Sequence, residues 1–152
     1  MPQTAFAVLS EIGSIPFDDG SQIKFSLDSY KGHKYISIRK YLKSDTYSGP
    51  TKSGITLSFE MVDKIAQALN ALPADINVVE DKELGKYAKR QGLAVVLRIS
   101  SYMGARALDL RQWQEDEAYT GWTKKGIRLP LEKLGEVKNL FAKTLDFIKE
   151  QK

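Results

Sequence analysis

The sequence predicts an α+β protein made of two ββββα repeats that associate as a pseudo-dimer within one chain. Two observations carry this. Thr51-Lys52-Ser53-Gly54-Ile55-Thr56-Leu57 returns 72 residues later as Thr123-Lys124-Lys125-Gly126-Ile127-Arg128-Leu129. The same ungapped offset aligns Tyr30 with Tyr102, Gly32 with Gly104, Arg39 with Arg111, Tyr41 with Trp113, Tyr47 with Tyr119, Gly49 with Gly121 and Glu60 with Glu132. Within each copy, period-two hydrophobic stretches come first and a period-3.6 stretch last, the order of a small sheet followed by a packing helix. A unit of roughly fifty residues struggles to bury enough apolar surface alone, so the copies are expected to share a core.

Taken in order, residues 1–22 have no aligned partner and stand as an N-terminal extension. The first repeat covers 23–72. Ile23, Phe25 and Leu27 alternate there with Lys24, Ser26 and Asp28, and Ile36 and Ile38 alternate with Tyr35, Ser37 and Arg39, the mark of half-buried strands. Tyr30-Lys31-Gly32-His33 between them holds a glycine suited to a tight turn. Ser44 to Pro50 is polar with a late glycine and reads as a loop or a bulged third strand before Ile55-Thr56-Leu57. A helix then starts at the N-cap Ser58, buries Phe59, Val62, Ile65, Ala66, Leu69 and Leu72, and ends before Pro73.

Residues 73–93 form the linker, and Lys82 to Gln91 within it fits a short helix. The second repeat covers 94–152. Its hairpin turn is Tyr102-Met103-Gly104-Ala105, its polar loop runs from Glu115 to Trp122, and Ile127-Arg128-Leu129 is its last strand. Pro130 fits the first turn of a longer helix whose buried stripe is Leu131, Leu134, Val137, Phe141, Leu145 and Ile148.

Composition removes several kinds of chemistry. The chain has 152 residues, no cysteine and one histidine, His33, so disulfides, thiolate nucleophiles and zinc clusters lack their ligands. No nucleophile, base and orienting residue can be assembled around His33, which sits at a hairpin tip. Neither an enzyme nor a cofactor is expected. The apolar stretch Ala5 to Leu9 is too short to span a bilayer and lacks the flank of a secretory signal, so the expected location is intracellular, cytoplasmic or nucleoid-associated in a prokaryote.

The net charge of +4 is unevenly spread. Residues 23–57 hold seven bases against two acids, the matching stretch 95–129 six against four, and residues 1–22 three acids and no base. The first copy is the more electropositive. If Phe25, Leu27, Ile36 and Ile38 face the helix, alternation sends Lys24, Ser26, Tyr30, Tyr35, Ser37, Arg39 and Tyr41 to the other face. The same parity exposes Arg98, Ser100, Tyr102, Arg111 and Trp113 in the second copy, with Lys124 and Arg128 joining from the last strand. Rings that stack on unpaired bases, set among cations that neutralise phosphates, are what a single-strand platform needs. The pattern equally fits rings that pack against the other copy or a second subunit, and Thr51-Lys52 and Thr123-Lys124 fit either a phosphate contact or a turn.

Gly32 through Arg39, the aromatic that follows, Pro50 to Leu57 and the apolar helix resemble the DNA-binding domain of the positive cofactor 4 family of transcriptional coactivators. Leu110-Arg111-Gln112-Trp113 and Thr123 to Leu129 resemble it again. The resemblance implies, for each copy, a curved antiparallel sheet backed by a helix, similar in architecture to Whirly and Pur-alpha proteins and paired so that the surfaces bind single-stranded or melted DNA. It further implies that Tyr30 and Tyr102 stack on bases and that Lys31, Arg39, Arg111, Lys52, Lys124 and Lys125 contact the backbone. Leu42 and Gln114 stand where the family has a second aromatic, Met103 where it has a hairpin lysine, and Ser53 where it has a second base. The two copies should therefore contribute unequally.

The expected function is low-specificity binding of single-stranded DNA in transcription, replication or repair. Lys24, Tyr30, Lys31, Lys34, Tyr35, Arg39, Tyr41, Lys52, Arg98, Tyr102, Arg111, Trp113, Lys124, Lys125 and Arg128 are the expected contacts. RNA binding, a protein-interaction module and a further homo-oligomer remain open at this level.

Overall fold

A computed structural model describes residues 6–17, 20–43, 46, 48–73 and 75–151. Eight antiparallel strands form one sheet, in the order β1-β2-β3-β4-β8-β7-β6-β5. The strands are β1 (Phe6–Pro16), β2 (Gln22–Tyr30), β3 (His33–Lys43), β4 (Ser48–Leu57), β5 (Lys82–Arg90), β6 (Leu93–Tyr102), β7 (Ala105–Glu115) and β8 (Thr120–Pro130). Helix α1 (Phe59–Asn70) follows β4, and helix α2 (Leu134–Glu150) follows β8 after a single 3-10 turn. Strands β1 to β4 and β5 to β8 thus follow a similar order. The chain builds one sheet of eight strands and not two separate sheets. Of the predicted loop Ser44 to Pro50, positions 44, 45 and 47, including Tyr47, lie outside the described residues, as do Asp18 and Asp19.

The meander β2-β3-β4 forms where alternation places it. Ile23, Phe25, Leu27, Ile36, Ile38, Ile55 and Leu57 are all buried on one face. The β2–β3 turn needs left-handed backbone at two successive residues, and Lys31 (φ 51°) with Gly32 (φ 82°) supplies it. Met103 and Gly104 do the same 72 positions on, with φ of 50° and 80°. Ser58 caps α1 as predicted, its hydroxyl accepting from the Met61 N–H at 3.2 Å. Met61, Val62, Ile65, Ala66 and Leu69 are buried, whereas Phe59 and Leu72 are only partly covered. Pro130 does not lie in the first turn of α2: it ends β8 and precedes the 3-10 turn Leu131–Lys133.

Two segments differ from expectation. Of the stretch 82–91, where a short helix was predicted, Lys82–Arg90 form strand β5, and the N-terminal stretch carries β1, paired with β2. Both strands are bulged, with a register shift between Glu11 and Gly13 in β1 and between Glu83 and Gly85 in β5. Such bulges break period-two alternation, which is the signal that reveals a strand.

The helices lie together on one side of the sheet and reach across its centre. Helix α2 packs on β1 and α1 approaches β5. Phe25 of β2 meets Phe141 of α2 edge to face, with ring centroids 5.4 Å apart. Gly13 gives α2 room, since a Cβ there would lie 2.5 Å from a Leu140 methyl. One hydrophobic core therefore spans both halves. Between the halves the ladder is short: β4 pairs with β8 at Gly54 and Gly126. Among the described residues, no helix is long and apolar enough to cross a membrane.

Candidate nucleic-acid interface

The site grows out of the Thr-Lys-x-Gly segments of β4 and β8. In the β3–β4 ladder the register jumps from Arg39 opposite Gly54 to Tyr41 opposite Pro50, so residues 51–53 swing out of the pairing. In β7–β8 it jumps from Arg111 opposite Gly126 to Trp113 opposite Trp122, releasing residues 123–125. The bulges are held alike. The Ser53 N–H donates to the Thr51 hydroxyl at 3.1 Å and the Lys125 N–H to that of Thr123, also at 3.1 Å. Arg39 donates to the Thr51 carbonyl at 3.1 Å, and Arg111 to that of Thr123 at 3.4 Å. Each arginine lies across the glycine opposite it: a Cβ on Gly54 or on Gly126 would sit 2.8 Å from the guanidinium carbon of Arg39 or Arg111. The protruding Lys52, Lys124 and Lys125 are exposed.

Two depressions meet at Arg39. One, of about 310 Å³, lies on the outer sheet face and includes Lys24, Ser26, Asp28, Ser37, Arg39 and Tyr41. The other, of about 420 Å³, straddles the junction and includes Arg39, Lys52, Gly54, Gln112, Lys124 and Lys125. Lys24 stands 4.5 Å from the centre of the Tyr41 ring and also pairs with Glu11 at 3.2 Å.

The outer face of the second half is closed on itself. Arg98 donates twice to one Asp109 oxygen, at 3.1 and 2.9 Å, and its guanidinium lies 4.2 Å from the Trp122 ring. Trp122 in turn meets Trp113 edge to face at 4.9 Å. Arg111 approaches the other Asp109 oxygen at 3.5 Å, and Arg128 donates to Ser100 at 2.6 Å. Asp109 and Trp122 were missed from sequence; the parity that exposes Arg111 and Trp113 also places Asp109 on that face.

The remaining predicted positions lie apart. Tyr30 and Tyr102 stand at the hairpin tips, 46% and 66% exposed, with the Lys31 amine 5.2 Å from the Tyr30 ring. Tyr35 is half-buried opposite Asp28. Lys34 points to the helix side, donating to Gln151 beyond α2 at 2.8 Å, so it does not join the outer face. His33 is exposed at the β2–β3 turn, and the described residues hold no cluster of three or more histidine or acidic side chains suited to a metal ion.

Asp28 is 2% exposed at the base of the first-half depression. Burial pushes its carboxyl above the ordinary value of 3.8, against the opposing pull of a 2.7 Å hydrogen bond from Ser26, the Arg39 charge and the Ser37 hydroxyl. A raised folded-state pKa makes the ionised form a cost at neutral pH, and the cost fades as pH falls through that value toward 3.8. Asp28→Asn is therefore expected to raise stability near neutrality, with the gain shrinking on acidification, in urea unfolding between about pH 4 and 7. Parallel wild-type and variant profiles would refute the assignment.

An antiparallel α+β sheet protein with a cation-lined outer surface is the class these features define. The family model described as Transcriptional Coactivator p15 (PC4) matches residues 17–68, and a PC4 coactivator family domain is found there. The match covers β2 to most of α1, including Arg39, Tyr41 and Lys52. No curated protein matches the chain.

Proposed function

We propose that this is a non-enzymatic protein that binds single-stranded DNA with low sequence specificity, as the resemblance of residues 17–68 to the coactivator family implies, and that it acts in transcription, replication or repair. The observation that carries the reading is that the two depressions adjoin at Arg39, a wall of both, which sets Lys24 and Tyr41 on one side of it and Lys52, Lys124 and Lys125 on the other. A single strand laid along them meets cations for its phosphates and the Tyr41 ring for a base. The exposed Tyr30 and Tyr102 rings extend the stacking surface.

The same reading makes the molecule a pseudo-dimer of two ββββα units, β1 to α1 and β5 to α2. Among the described residues, each left-handed residue supports it by having a counterpart 72 positions away: Gly20 and Gly92, Lys31 and Met103, Gly32 and Gly104, Gly49 and Gly121. Gly54 pairing with Gly126, its own counterpart, is what a twofold relation produces at its axis.

Fluorescence anisotropy with labelled oligo-dT and a duplex of equal length tests the function. Tight, salt-sensitive binding of the single strand and much weaker binding of the duplex are expected. Equal or absent binding would reject the proposal. Tyr30→Ala and Tyr102→Ala should each weaken single-strand binding by about 1–3 kcal/mol without lowering stability; unchanged affinity would remove the stacking role. Oligo-U competition reports any preference for ribose.

A further inference from the structure

The turn between β5 and β6 crowds positive charge into a third depression. Its walls bring Lys89 and Arg90 beside Lys124 and Lys125, in a concavity of about 380 Å³. Lys124, Lys125 and Gln112 also wall the junction depression, so the two are contiguous. Asp116, the carboxylate in this wall, is already engaged. One of its oxygens accepts from the Ala118 and Tyr119 N–H groups at 2.9 and 3.0 Å, and the other from the Gln114 amide at 3.0 Å. Among the described residues, none of the four cations has a carboxylate partner. The Lys89 amine reaches only the Thr56 carbonyl and hydroxyl, at 3.4 and 3.3 Å, both neutral.

Burial pulls the Lys89 ammonium below the ordinary lysine range, and the Lys125 and Arg90 charges push the same way. A crowd of like charges without an acid is relieved by an anion. Among the described residues, the feature belongs to the second half. The positions 72 residues before Lys89-Arg90-Gln91-Gly92 are Phe17-Asp18-Asp19-Gly20, a sequence of opposite charge.

We propose that Lys89 and Arg90, with Lys124 and Lys125, form a phosphate-binding subsite that takes the backbone of a single strand leaving the junction. This rests on the single-strand reading and gives the strand a direction: from the first-half face, across the junction, onto the β5–β6 turn. The difference in charge between the two sequences, basic in one half and acidic in the other, makes the exit one-sided.

The test pairs two double variants in the full chain. Lys89→Gln with Arg90→Gln removes the subsite; Lys143→Gln with Lys149→Gln removes equal charge from exposed positions on α2. With a dT oligonucleotide of about 20 residues, the first should lower affinity about 20-fold at ~0.1 M salt and flatten the log–log salt slope by about 1.4. The control should stay within about twofold. Equal losses in both, or no loss in the first, would overturn the subsite while leaving single-strand binding intact. A second arm uses inorganic pyrophosphate without DNA, which should raise the melting temperature of the wild type and not of the Lys89/Arg90 variant. If the wild type bound no oligonucleotide yet showed this variant-sensitive stabilisation, the strand reading would fail and the phosphate subsite would stand. Pyrophosphate stabilisation equal in both proteins would count against the subsite. Matching urea midpoints for wild type and variant exclude unfolding as the cause of any loss.

Discussion

Phe141→Ala is expected to cost about 3–5 kcal/mol, far more than a truncation on a peripheral helix. The side chain is 1% exposed and its ring meets Phe25 across the boundary between the halves. Between β4 and β8 the ladder offers the single residue pair Gly54 and Gly126, so backbone hydrogen bonding does little to join the halves. Cohesion falls to the shared core beneath the helices, with α2 packed on β1 and α1 beside β5. Removing the ring leaves a cavity in that seam and forfeits an aromatic pair worth about 0.5–1.5 kcal/mol beyond its buried area. Both halves should lose stability together, in one cooperative transition. Urea unfolding followed by circular dichroism and by tryptophan fluorescence checks this, because Trp113 and Trp122 both lie in the second half. A loss below about 1 kcal/mol, or probes that unfold at different midpoints, would contradict a common core.

Replacing Lys52, Lys124 and Lys125 together by glutamine is the larger perturbation of binding. All three are exposed on the bulges and line the junction depression. Three lost phosphate contacts at a slope of about 0.7 each remove roughly two logarithmic units at 0.1 M salt, an affinity loss of about a hundredfold. The salt dependence should flatten by about 2 in log–log slope, and the loss should be the same for every base composition, since these side chains read phosphate and not sequence. The fold should be untouched: the bulges are held by Thr51, Thr123, Arg39 and Arg111, which remain. Anisotropy titrations at several salt concentrations measure both quantities. An unchanged slope would place the strand elsewhere.

Much of the first-half sheet was legible because its residues obey one rule each. Phe25, Leu27, Ile36 and Ile38 alternate without interruption, Lys31-Gly32 meets a turn that demands left-handed backbone, and Ser58 precedes an unbroken helical stripe. Strands β1 and β5 escaped because bulges interrupt their alternation. The short echo of Glu11-Ile12-Gly13 in Glu83-Leu84-Gly85 at the 72-residue offset was the remaining signal. The outer face was legible as a parity, and Arg39, Tyr41 and the bulge lysines follow from it. What parity could not give was which cations are free. Asp109 engages Arg98 and Arg111 in the second half, while the first half places Ser37 at that position and a buried Asp28 one strand away. Lys34 misled for a related reason: a cation beside a hairpin looks exposed on either face, and its partner, Gln151, lies 117 residues away. The cluster around Lys89 was hidden because its members come from the end of β5 and a bulge of β8 that only the folded sheet brings together.

The central claim is that a single strand crosses the molecule along the bulges of β4 and β8. Amide chemical-shift mapping by NMR, on the isotope-labelled full chain titrated with oligo-dT, tests it most directly. The account predicts shifts concentrated at residues 51–54 and 123–126, at the turns around Tyr30 and Tyr102 and at residues 89–92, with α1 and α2 unmoved. Shifts confined to the helix side, or scattered evenly over both faces, would contradict it.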